Sequence, residues 1–189
     1  MPPAETRPAP EPAKPLEKAR KENLPAPPGG TPEARRTPAP GEALPEDSSL
    51  IAKISPQTPP RRAASLRLTE EGRKLLARED YTRALASFER SIAIDATNPY
   101  SYYYLAKTHY QQGRYQESLN FLDVAESRFA EDPYWLAETW ALRGENFRAL
   151  GFLQRAESSY ARALKINPGS RTALQGMNRL RAGSERAPR

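Results

Sequence analysis

Residues 81–92, YTRALASFERSI, and residues 115–126, YQESLNFLDVAE, are two copies of one helical pattern set 34 residues apart. Tyr81 falls on Tyr115, Leu85 on Leu119, Phe88 on Leu122 and Ser91 on Ala125. A further step of 38 residues carries Gly113 to Gly151, Tyr115 to Leu153, Leu122 to Tyr160 and Ala125 to Ala163. Tyr81, Ala84, Leu85, Phe88 and Ile92 follow i, i+3, i+4, i+7 spacing, which places one apolar stripe along a helix. A period near 34 residues explains what covers that stripe. Each unit is a helix–turn–helix too small to bury its own apolar face, so it stacks on its neighbour.

Working outward, each copy is preceded by another helical pattern, as in Leu68, Leu75 and Leu76 ahead of Tyr81. The turns between the paired helices are short: RED before Tyr81, QGR before Tyr115 and LGF before Leu153. Gly113 and Gly151 suit a left-handed helix end. The units close on DATNP, AEDP and INPGS, where proline prevents the helix from continuing.

The pattern resembles the tetratricopeptide repeat (TPR). That family places an aromatic or Leu early in the first helix, and here Leu68, Tyr102 and Trp140 hold the position. Its three small crossing positions hold Gly72, Ala106 and Gly144, then Ala84, Ser118 and Ala156, then Ser91, Ala125 and Ala163. Phe88, Leu122 and Tyr160 fill the space those small residues leave. The resemblance implies an all-α, right-handed solenoid of three repeats, about 65–98, 99–132 and 137–170, within a domain at 61–182. The family's usual Leu is replaced by Glu71 and Arg143, and its closing Pro by Ala96 and Ala130. Four extra residues, Pro133 to Leu136, precede the third repeat and are expected to add a turn to its first helix. Residues 171–182, RTALQGMNRLRA, align Leu174, Met177 and Leu180 and read as the capping helix that ends a stack. Residues 183–189 read as a loose basic tail.

The rest of the chain differs in kind. Sixteen of the 20 prolines lie before position 61, so residues 1–60 read as a disordered Pro/Ala-rich arm that acts as a spacer. Its one apolar patch, Ser49-Leu50-Ile51-Ala52-Lys53-Ile54, is a candidate for docking on the first helix or on a partner. The layout of arm and repeats is similar to bacterial TPR lipoproteins, whose linker follows a lipidated Cys. That likeness implies a periplasmic or membrane-tethered protein whose signal has been removed, the alternative being a cytoplasmic one. The sequence holds no cysteine, which excludes disulfides and thiol chemistry. No run approaches the ~18 apolar residues of a membrane span. The net charge of +6 is spread along the chain, which argues against nucleic acid as the partner.

Function reads as protein binding rather than catalysis. No cofactor motif is present, no metal cluster is spelled out, and the single histidine, His109, sits where a ring packs against the second helix. By resemblance, the first helices line a concave groove that includes Thr69, Ala141 and Leu142. The residues expected to carry a protein or peptide partner there are Arg73, Tyr103, Lys107, Tyr110, Glu145 and Arg148. The run Tyr100, Tyr102, Tyr103, Tyr104 cannot bury all its rings on one face, and Tyr102 is expected to enter the core. TPR domains that clamp chaperone C-termini need Lys, Asn and Arg at positions that here hold Thr69, Arg73, Tyr104, Glu138 and Leu142. The expected role is therefore an adaptor or scaffold of another specificity. The rivals are assembly through the convex face or the capping helix, and polyanion binding through Arg61, Arg62 and the C-terminal arginines.

Overall fold

Three prolines begin helices. Pro60, Pro99 and Pro133 each take the first helical position, where a missing N–H leaves nothing unsatisfied. The computed structural model describes residues 49–186, with side chains through residue 183. After a short 3-10 helix, Leu50–Lys53, come α1 (Pro60–Ala77), α2 (Tyr81–Ile94), α3 (Pro99–Gln111), α4 (Tyr115–Arg128), α5 (Pro133–Ala149), α6 (Leu153–Ile166) and α7 (Arg171–Arg186). No strand occurs among the described residues. Asp80, Asn98 and Asp132 cap α2, α3 and α5 by accepting a backbone N–H from the first turn.

The helices pair as α1–α2, α3–α4 and α5–α6, and each pair packs on the next to form a solenoid. All nine small crossing residues are buried. Gly72 lies so close to Phe88 that an added Cβ would meet the ring at 2.4 Å, and Gly144 meets Tyr160 in the same way. Gly176 of α7 approaches the same Tyr160 ring as closely, at 2.3 Å for an added Cβ, so α7 packs on α6 as the next first helix would. The turns need a left-handed residue at one place, filled by Gly113 (φ 74°), Gly151 (φ 81°) and, in the first repeat, Glu79 (φ 61°).

A buried polar knot fixes the first repeat against the second. Ser65, Thr69, Ser91, Asn98 and Ser101 are all fully buried. Their hydroxyls lie 2.7–2.9 Å apart, and the Asn98 amide donates to Ser65 at 2.8 Å. A satisfied network of this kind sets register, because any slip strands several buried polar groups together. Thr69, expected in the groove, belongs to this knot. Arg143 also gains a role in place of the family's Leu: it reaches Asp123 at 2.8 Å and Glu126 at 2.7 Å on α4.

The expected boundaries move at both ends. The arm was expected to run to residue 60. Its residues 1–48 lie outside the described residues, whereas 49–59 are ordered on the module because Leu50 is buried in its core. At the other end α7 runs through Arg186, beyond the expected stop at 182, since nothing in AGSER breaks a helix as proline does. Ala173 and Gly176 make the buried side of α7, while Leu174 is exposed.

Candidate functional site

The odd-numbered helices touch one another in series, α1 to α3 to α5 to α7, and so form one continuous inner wall. Two side-chain clusters lie along it.

The first surrounds an open cavity of about 340 Å³, lined by Arg73, Leu76, Ala77, Tyr103, Tyr104, Lys107, Tyr134, Trp135, Glu138 and Thr172. Three of the six expected partner residues meet here: Arg73, Tyr103 and Lys107. Arg73 is held by Glu70 at 2.7 Å. Lys107 forms no direct ion pair among the described residues. Burial, reinforced by the charge of Arg73, lowers its ammonium below the usual lysine range, and Glu138 offsets part of that. Glu138 accepts hydrogen bonds from Ser170 (2.8 Å) and Thr172 (3.2 Å), which tie the cavity wall to the start of α7.

The tyrosine run packs differently from the expectation. Tyr100, Tyr103 and Tyr104, at i, i+3 and i+4, are buried, and each meets Trp135 edge to face with ring centroids 5.1–5.8 Å apart. Tyr102, expected in the core, is only half-buried and lies under the Arg128 guanidinium. Tyr103 therefore offers the cavity part of its ring, and burial raises its phenol well above the ordinary range.

The second cluster gathers the other three expected residues around one carboxylate. Glu145 is 5% exposed. It accepts from Arg148 (2.8 Å), Tyr160 (2.7 Å), Arg179 (3.1 Å) and Tyr110 (3.3 Å). Burial alone would raise its pKa, but hydrogen bonds from Arg148 and Tyr160 and the charges of Arg148 and Arg179 outweigh it and hold the carboxyl below the usual range. This cluster joins α3, α5, α6 and α7. Its carboxylate is saturated by the protein's own donors.

Glu70, not among the residues expected in the groove, is 4% exposed and belongs to the inner wall. Its spacing of three from Arg73 was the available signal. Ala141 and Leu142, expected in the groove, are buried instead. Tyr134, Trp135 and Thr172 were missed because they come from the inserted residues and the capping helix. His109 stacks on Phe121 of α4, with centroids 5.2 Å apart. Arg61 donates to the Ile94 carbonyl at the end of α2, and Arg62 pairs with Asp95, so both are engaged within the fold. No group of three possible metal ligands occurs among the described residues, and no described helix is long and apolar enough to cross a membrane.

Residues 75–138 match the family model of the tetratricopeptide repeat. The chain matches no curated protein. Among solved structures it is similar to the Arabidopsis OM64 TPR domain, with a TM-score of 0.59, 19% identity, and coverage of 65% of this chain and 98% of that one. It is also similar to the second TPR domain of human RPAP3 in complex with the HSP70 peptide SGPTIEEVD (TM-score 0.57, 21% identity, 64% and 98% covered). A third is the first TPR of Spaghetti (RPAP3) bound to the HSP90 peptide SRMEEVD (TM-score 0.57, 19% identity, 65% and 94% covered).

Proposed function

Starting from a chain that is built on tetratricopeptide repeats, we propose that it is an adaptor or scaffold whose inner wall binds a segment of a partner protein. The observation that carries this reading is the cavity around Lys107: a half-buried cation without a direct ion pair among the described residues, beside tyrosine and tryptophan rings and an open volume of about 340 Å³. Such a site suits a segment that sets an acidic group on Lys107 and lays an apolar side chain against Tyr104 and Trp135. Two of the similar structures hold peptides, which supports a peptide as the occupant. Thr69 and Leu142 are buried, and Glu138 brings a negative charge to the cavity, so the ligand differs from a chaperone C-terminus bound by a cationic clamp.

The test uses the full chain as bait in source-cell lysate, beside Lys107→Glu and Ala77→Arg variants. Ala77 is exposed at the cavity mouth, so a long side chain there blocks entry without disturbing the core. Capture of the partner is expected to fall at least tenfold in both variants at unchanged helicity, on the order of 1.4 kcal/mol. Equal capture would refute groove binding.

A second reading rests on the C-terminal end. Phe152 and Leu153 are 52% and 55% exposed, and Leu153, Met177 and Leu180 line a further cavity of about 520 Å³ between α6 and α7. Assembly through this face is the outcome if Leu153→Asp, rather than Lys107→Glu, removes the partner.

A further inference from the structure

The inner wall already holds a piece of this chain. Leu50, in the 3-10 helix ahead of α1, is 1% exposed and belongs to the same apolar cluster as Leu66 and Tyr100. Its backbone N–H donates to Oε2 of the buried Glu70 at 3.2 Å, while Oε1 of that carboxylate takes Arg73 of the Lys107 cavity. Three residues on, the Lys53 ammonium lies 5.2 Å from the centroid of the Tyr100 ring. Tyr100 in turn packs on Trp135, which lines the cavity. The seated segment and the open cavity are therefore neighbours on one wall, joined through Glu70–Arg73 and Tyr100–Trp135.

The segment makes one four-residue 3-10 helix in which only Leu50 is buried, and Ile51 beside it is 42% exposed. Its link to α1 is short and ordered: Thr58 donates its N–H to the Ser55 carbonyl at 3.0 Å, Ser55 returns its own N–H to the Thr58 hydroxyl at 2.9 Å, and Pro59 and Pro60 follow. A segment on a short tether competes at an effective concentration on the order of millimolar. It will exclude a free ligand whose own affinity is micromolar, and it will yield to a better one.

Resting on the groove reading above, we propose that residues 49–54 are an internal occupant of the N-terminal end of the groove, which the partner displaces with a segment of the same chemistry. That chemistry is an aliphatic side chain in the Leu50 seat, with its N–H on Glu70, and a Lys or Arg three residues later over Tyr100. The internal occupant then sets a threshold, so that only a partner matching this pattern opens the wall.

The experiment uses the full chain and a labelled peptide of residues 47–58, DSSLIAKISPQT, followed by fluorescence anisotropy. Two full-length variants release the seat: Leu50→Asp, and replacement of residues 49–54 by Gly-Ser. With a millimolar effective concentration and a peptide Kd of about 10–100 μM, the wild type binds the peptide roughly 10–100-fold more weakly than the Gly-Ser variant. A peptide with Asp in place of its Leu binds neither. No gain in the Gly-Ser variant overturns the proposal. Excess peptide is also expected to speed tryptic cleavage after Lys53 in the wild type, a readout that needs no variant, and an unchanged rate overturns it equally. Failure of the groove reading looks different. A partner kept by Lys107→Glu and Ala77→Arg sinks that reading, whereas a partner lost there but held equally by wild type and Leu50→Asp keeps it and overturns only the internal occupant.

Discussion

Gly72→Ala sets two effects of opposite sign against each other. Alanine is favoured over glycine inside a helix by about 1 kcal/mol, so on propensity alone the change stabilises α1. The new Cβ, however, meets Phe88 Cε1 at 2.4 Å, with Cδ1 and Cζ at 2.8 Å. Phe88 is fully buried and stacks on Tyr104 at 5.9 Å, so the ring has little room to retreat. Overpacking of this kind costs about 1–3 kcal/mol, so the net expectation is a loss of up to about 2 kcal/mol. The second repeat shows the alternative solution, pairing Ala106 with Leu122 where the first and third pair glycine with an aromatic ring. Phe88→Leu should therefore cost stability alone, yet make room for Gly72→Ala. Urea denaturation of both single variants and the double, read at constant m, should give a favourable coupling of at least about 1 kcal/mol. The reasoning is refuted if Gly72→Ala stabilises the protein, or if the two changes add to within about 0.3–0.5 kcal/mol.

Two further outcomes are expected. Glu79 holds the left-handed turn position that glycine fills in the other repeats, a conformation costing an L-residue about 1–2 kcal/mol. Glu79→Gly should stabilise by up to about 1 kcal/mol once the added freedom of the unfolded chain is subtracted, while Gly113→Ala and Gly151→Ala destabilise; urea midpoints decide both. His109 titrates below its ordinary value, first because it is buried and then because Arg114 lies near, against smaller opposing effects from Glu117 and Glu89. The unfolded chain thus binds the proton more readily. Stability falls as pH drops below the unfolded value of about 6.5 and levels off below the folded value, and His109→Leu should flatten that slope in thermal melts between pH 5 and about 7.5.

The solenoid was legible because its rules are local. Nine small residues recur where helices cross, and the closing signals DATNP and AEDP end one unit just where Pro99 and Pro133 begin the next. The site was legible only in part, because two features depend on distant side chains. Leu50 is buried through Glu70 and the Tyr100 region, twenty and fifty residues along the chain, and no periodicity reports such a contact. The tyrosine run was misphased for a related reason. The four residues inserted at Pro133–Leu136 lengthen α5 by a turn, and that turn carries Trp135 against Tyr100, Tyr103 and Tyr104 while it stacks on Phe129. The insertion thus decides which face of α3 is buried, and Tyr102 is left to Arg128. The two oddities of the sequence, an extra turn in the third repeat and a surplus of tyrosine in the second, fill one another's space. Their union packs the wall beside α3 and places Tyr103, Tyr104 and Trp135 along the cavity at Lys107. The residue that makes the fold irregular, Trp135, is thus also the one that three tyrosines of α3 close upon.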